Sequence, residues 1–124
     1  MNQKSPQIEK LDEIVQLSIL YDFYGELLNE HKKQVFEDYV LNDLSLSEIA
    51  QEQGISRQGI YDIVKRCSQE LKGYEDRLSL VRKFQNIKEA LGKMKEIVAA
   101  TAQSGHLERI SEIETLADDI LKEL

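Results

Sequence analysis

Residues 44–66 read "LSLSEIAQEQGISRQGIYDIVKR", and their spacing decides the fold. Ser45 and Glu48 form an S-x-x-E pair just before Ile49 and Ala50, the pattern of a capping box opening a short helix over about Leu46 to Gln53. Gly54 stands where a helix ends with positive φ. Ile55 is expected to pack under the turn, and Ser56 to cap the helix that follows. Two short helices can meet steeply around so short a turn only if a small residue sits at the crossing and apolar residues anchor the second helix. Ala50 supplies the first, and Ile60 and Ile63 the second. Gly54 alone would be an ordinary helix end and Ala50 an ordinary helix residue. Their joint spacing predicts a helix-turn-helix.

Working outward, residues 8–28 place Ile14, Leu17, Tyr21, Tyr24 and Leu28 at 3–4–3–4 spacing, one face of a helix. Asn29 suits the cap of a second helix, "EHKKQVFEDYVLN", with Val35, Phe36, Tyr39 and Val40 inward. The helix after Ser56 should bury Ile60, Ile63, Val64, Cys67 and Leu71. Beyond Gly73 a stripe continues through Tyr74, Leu78, Val81, Phe84, Ile87, Leu91, Met94 and Val98. "AQSGH" at 102–106 reads as a turn, and Ile110, Ile113, Ala117, Ile120 and Leu124 mark a last helix. No segment alternates with period 2 over a strand's length. The expectation is an all-α protein: a helix-turn-helix domain over 8–73 and a C-terminal helical segment over 74–124, an extension or a hairpin. The narrow C-terminal stripes suit either a hairpin or a homodimer interface.

The 124 residues carry a formal net charge of −7, unevenly placed. Residues 1–55 sum to −7, residues 57–95 to +5 and residues 96–124 to −5. A basic middle is therefore flanked by acid. Cys67 is the only cysteine, so no intrachain disulfide forms, in keeping with a reducing compartment. The N-terminus lacks the apolar run of a signal peptide and no window suits a membrane span, so a soluble cytoplasmic protein without membrane insertion is expected.

His31 and His106 are isolated, Cys67 is expected inward, and zinc-ligand spacing is absent, so no metal or cofactor is expected. No phosphate-cradling glycine motif appears. Adjacent acids such as Glu37-Asp38 and Asp118-Asp119 point to different parts of a helix surface and read as solubilising charge. The chain is not expected to be an enzyme.

The residues left outward on the second helix of the motif suit nucleic acid. Ser56 and the N–H groups at the helix start suit a phosphate. Arg57 and Gln58 stand where side chains reach base edges, and Tyr61 where a ring meets sugar or stacks. Lys65 and Arg66 suit phosphates further along, with Lys32 or Lys33 adding a cation from the helix "EHKKQVFEDYVLN". Binding by about three to five cations should be modest and salt-sensitive. Asp62 places a negative charge on the same face. Gly59, inside the helix, costs about 1 kcal/mol relative to Ala, either a simple loss of propensity or room for close backbone approach to a partner.

"ILYDFYGELL", "LSLSEIAQEQGISRQGIYDIVKR" and "ELKGYEDRLSL" together resemble the YlxM family of small bacterial helix-turn-helix proteins, over about residues 10–90. That family is similar to region 4 of sigma-70-type factors, which reads promoter DNA. The resemblance implies a DNA-binding regulator associated with the signal recognition particle pathway. An action on the particle's RNA or proteins is equally compatible with it. The family usually has Ala where this chain has Gly59, and Asn where it has Ile63. A protein- or RNA-interaction module that keeps the shape without specific DNA binding is the alternative, since the acidic flanks suit a basic partner.

Overall fold

A computed structural model describes residues 6–105 and 109–123. These form α1 (Pro6–Tyr24), a 3₁₀ turn (Gly25–Leu27), α2 (Glu30–Val40), α3 (Leu46–Gln53), α4 (Arg57–Leu78), α5 (Leu80–Ser104) and α6 (Ile110–Glu123), with no strand among the described residues. His106 and Leu124, both named in the sequence reading, lie outside the described residues. The chain divides into two compact units at Leu78/Ser79. Helix α4 runs through Gly73 without a break, so the division falls five residues beyond the Gly73 punctuation.

The first unit is a helix-turn-helix closed by α1 and α2. The capping box forms as read: Ser45 Oγ accepts from Glu48 N–H at 3.1 Å, and Ser45 N–H donates to Glu48 Oε1 at 3.2 Å. Gly54 ends α3 in the left-handed region, at φ 69°. Its N–H and that of Ile55 both turn back to the Ala50 carbonyl. Ser56 Oγ then accepts from Gly59 N–H at 3.0 Å and opens α4. Asn29 caps α2 by accepting from Lys32 N–H at 2.9 Å. Val35, Phe36, Ile49, Ile60, Cys67 and Leu71 are fully buried where α2, α3 and α4 meet.

Two expectations for this core need correction. Ile55 does not pack under the turn; its side chain is 41 % exposed, because the left-handed turn at Gly54 uses the Ile55 N–H and leaves the side chain outward. Ile63 is only half-buried, and Val64 takes the inner position.

Helix α1 is shorter than the apolar pattern over 8–28 suggests. It ends at Tyr24, and Gly25 opens the 3₁₀ turn. A Cβ on Gly25 would lie 2.6 Å from the Tyr21 ring. That ring stacks on Phe36 at 5.7 Å between centroids, and its hydroxyl donates to the Glu37 carboxylate. Burial first, then the Glu37 contact, raises the Tyr21 phenol pKa and keeps it a donor. Tyr24 faces α4, donating to Glu75 at 2.6 Å and meeting the Tyr74 ring at 5.9 Å.

The second unit is an antiparallel hairpin of α5 on α6, in which Asn86 near one end of α5 reaches Glu123 at the end of α6 at 3.4 Å. Helix α5 extends to Ser104 and stops at Gly105, φ 70°, so the first part of the expected 102–106 turn is helical. Its inner face follows the expected stripe only in part: Val81 is buried and Ile87 and Met94 are half-buried, but Phe84, Leu91 and Val98 are exposed and Ile97, outside the stripe, is buried.

Two substitutions and one thiol-reactivity measurement test this packing. Gly54→Ala meets no neighbour within 4 Å, so it should cost only the backbone strain of a left-handed alanine, about 1 kcal/mol. Gly25→Ala must displace a stacked, hydrogen-bonded ring and should cost more, about 2–3 kcal/mol in urea unfolding. Cys67 is fully buried, and burial pushes its thiol up to about 11 from an ordinary value near 9. Its reaction with a disulfide reagent at neutral pH should be at least about 100-fold slower in the native protein than in denaturant.

Candidate nucleic-acid interface

On a helix of 3.6 residues per turn, positions 57, 61, 65, 68 and 72 fall on one side. In α4 these are Arg57, Tyr61, Lys65, Ser68 and Lys72, flanked by Gln58 and Gln69. This side borders the buried stripe of Ile60, Val64, Cys67 and Leu71, so packing fixes its direction. The N-terminal half of α1 runs beside it, bringing Lys10 and Glu13 opposite. Between them lies a cleft of about 660 Å³, with Leu17, Val64 and Tyr39 deep within it.

Four cations, Lys10, Arg57, Lys65 and Lys72, line this cleft against one carboxylate, Glu13. Tyr39 is half-buried there, and its phenol pKa is raised by burial first, then by Glu13 and Tyr61 nearby. Tyr61 is 47 % exposed and offers its ring to the opening. Ser68 is buried and donates to the Val64 carbonyl at 2.9 Å, so its hydroxyl hydrogen is occupied within the helix.

Of the six residues expected to meet nucleic acid, Arg57, Gln58, Tyr61 and Lys65 come together in this cleft. Ser56 serves as the α4 cap through its hydroxyl oxygen. Arg66 follows Lys65 by about 100° around the helix, is exposed, and lies outside the cleft lining. Gln58 donates to Asp62 at 3.1 Å, so the carboxylate keeps its negative charge on this face and also holds a neighbouring side chain. Gly59 serves no close approach between helices. The only atom near a built Cβ is Ser56 Oγ, at 3.2 Å.

Lys32 and Lys33 do not add to this face as expected. Lys33 pairs with Glu26 at 2.8 Å and Lys32 with Glu70 at 3.6 Å. Conversely, the cleft also takes Lys72, Gln69 and Lys10, which the sequence reading does not name, and Tyr39, which it places only in the core. Lys72 was legible, since it continues the 57–61–65–68 spacing by one more turn. Lys10 and Tyr39 reach the cleft only through the tertiary packing of α1 and α2, which spacing within one helix does not encode. No group of three His, Cys, Asp or Glu among the described residues could hold a metal ion. No helix among them is long and apolar enough to cross a membrane.

Comparison with known proteins gives a consistent picture. The family model "UPF0122: Putative helix-turn-helix protein, YlxM / p13 like" matches residues 11–112. The chain is 45% identical over 87 residues to a UPF0122 protein of Caldanaerobacter subterraneus subsp. tengcongensis, covering 70% of this chain and 74% of that one. It is 42% identical over 102 residues to a UPF0122 protein of Bacillus pumilus, covering 82% and 93% of the two chains. It is 37% identical over 102 residues to the UPF0122 protein YlxM of Bacillus subtilis, again covering 82% and 93%.

Proposed function

The chain belongs to the UPF0122 family of YlxM / p13-like proteins, and from that premise we propose that it is a regulatory protein that binds nucleic acid, DNA in the first instance, through the outward side of α4. One observation carries the reading. Arg57, Lys65 and Lys72 share one side of α4 and, with Lys10 of α1, bring four cations to a cleft lined by one carboxylate, Glu13. A folded acidic chain thus gathers cations along one side of one helix, and phosphates are the common ligands that neutralise such a row. The acidic helices around it weaken nonspecific attraction by like-charge repulsion.

The link to the signal recognition particle pathway that the family resemblance implies makes the particle's RNA a natural probe beside duplex DNA. In mobility-shift assays at low and moderate salt, the paired substitution Arg57→Ala with Lys65→Ala should weaken binding. It should also lower the slope of log affinity against log salt by about 2. Unchanged binding would remove this side of α4 from the interface. The competing reading, a module that binds a basic protein through its acidic surface, draws on the net charge of −7. It requires a complex with the particle's RNA-binding protein that survives nuclease treatment.

We propose further that the protein acts as a homodimer joined through the α5–α6 hairpin. Helix α6 fully buries none of its described side chains, while Leu91 and Val98, one heptad apart, stand outward on α5. Sedimentation should give twice the chain mass, and Leu91→Glu with Val98→Glu should halve it.

A further inference from the structure

We propose that the cleft between α1 and α4 takes nucleic acid as a single strand, with one unstacked base against Tyr61 and its backbone along Arg57, Lys65 and Lys72. This rests on the reading of α4 as a nucleic-acid face and adds the form of the strand.

Shape is the first ground. A helix reads a duplex by projecting into a major groove about 12 Å wide, which one helix of about 10–12 Å diameter already fills. Here Arg57, Gln58, Tyr61 and Lys65 do not crown a projecting helix. They form one wall of a concavity whose other wall, α1, carries Lys10 and Glu13. Two adjacent helices are too wide to enter the groove together. A base freed from its stack is flat and small, and a cleft of about 660 Å³ is of the size that encloses such a group.

Chemistry is the second ground. Binding of single strands combines cations tracking the backbone with aromatic rings on which bases stack. Tyr61 supplies an exposed ring, and its neighbours on the same side of α4 are the cations Arg57 and Lys65, four residues away in each direction. Lys72 extends the row, so Arg57 to Lys72 spans about 22 Å of helix at 1.5 Å per residue. That is enough for several phosphates in succession. Gln69 offers an amide beside Lys65 for a base edge. Gln58, held by Asp62, is already engaged, which weakens the side chain best placed for base reading in a duplex.

The test uses the full chain and fluorescence polarisation with a labelled strand of about 20 nucleotides, alone and annealed to its complement, in DNA and in RNA, at about 50 mM salt. The single strand should bind at least about 5-fold tighter than its duplex. Tyr61→Leu should weaken it about 5- to 100-fold, while Tyr61→Phe, which keeps the ring, stays within about 2-fold. Lys72→Ala should lower the single-strand salt slope by about 0.7. Thermal unfolding of each variant separates a lost contact from a lost fold. Duplex binding as tight as single-strand binding, or a Tyr61→Leu or Lys72→Ala protein that folds and binds as before, overturns the cleft as a single-strand site and leaves nucleic-acid binding standing. Binding to none of the four probes overturns both.

Discussion

The cleft exists because two tyrosines hold α1 in place. Tyr21 stacks on Phe36 and donates to Glu37, tying α1 to α2, and Tyr24 ties the same helix to α4 through Glu75 and Tyr74. These contacts lie at the C-terminal end of α1, yet a helix is rigid along its length, so they also set where its N-terminal half lies. Lys10 and Glu13 stand opposite Arg57 and Lys65 as a result. Gly25 belongs to the same arrangement, since any side chain there would meet the Tyr21 ring.

The helix-turn-helix was legible because its determinants are local. Ser45 with Glu48, Gly54, and Ser56 each act on backbone groups within four residues, and all three behave as their spacing implies. The α4 stripe of Ile60, Val64, Cys67 and Leu71 was equally readable from helical period. The candidate site was legible only on its α4 wall. Tyr39 sits on α2 and Lys10 on α1, and nothing in the spacing along α4 says which helix will lie beside it. Ile55 is exposed for a local reason, the turn at Gly54, but the misreadings of the lysines and of α5 share that long-range cause. Lys32 and Lys33 looked free because their partners, Glu70 and Glu26, are brought to them by packing. On α5, both Leu91 and Ile97 continue an apolar pattern, and only the position of α6 decides which turns inward.

Charge follows the same logic at larger scale. A net of −7 describes the chain and says little about any one face, because the sign of a surface depends on which residues share it. In the cleft four cations meet one carboxylate, while acids elsewhere pair with lysines or accept tyrosine hydroxyls. An acidic protein can in this way keep one basic surface at short range and repel polyanions at long range, to the extent that salt leaves the long-range field unscreened.

The hydrogen bond from Gln58 to Asp62 has a consequence for how such proteins diverge. Both residues are exposed and neither contributes to the core. Exchange of the aspartate at position 62 for an apolar or basic residue releases the Gln58 amide at almost no cost to the fold. On the proposed reading of α4 as a nucleic-acid face, one surface codon would then change which side chain is free to meet a ligand, with the backbone and the capping pattern unchanged.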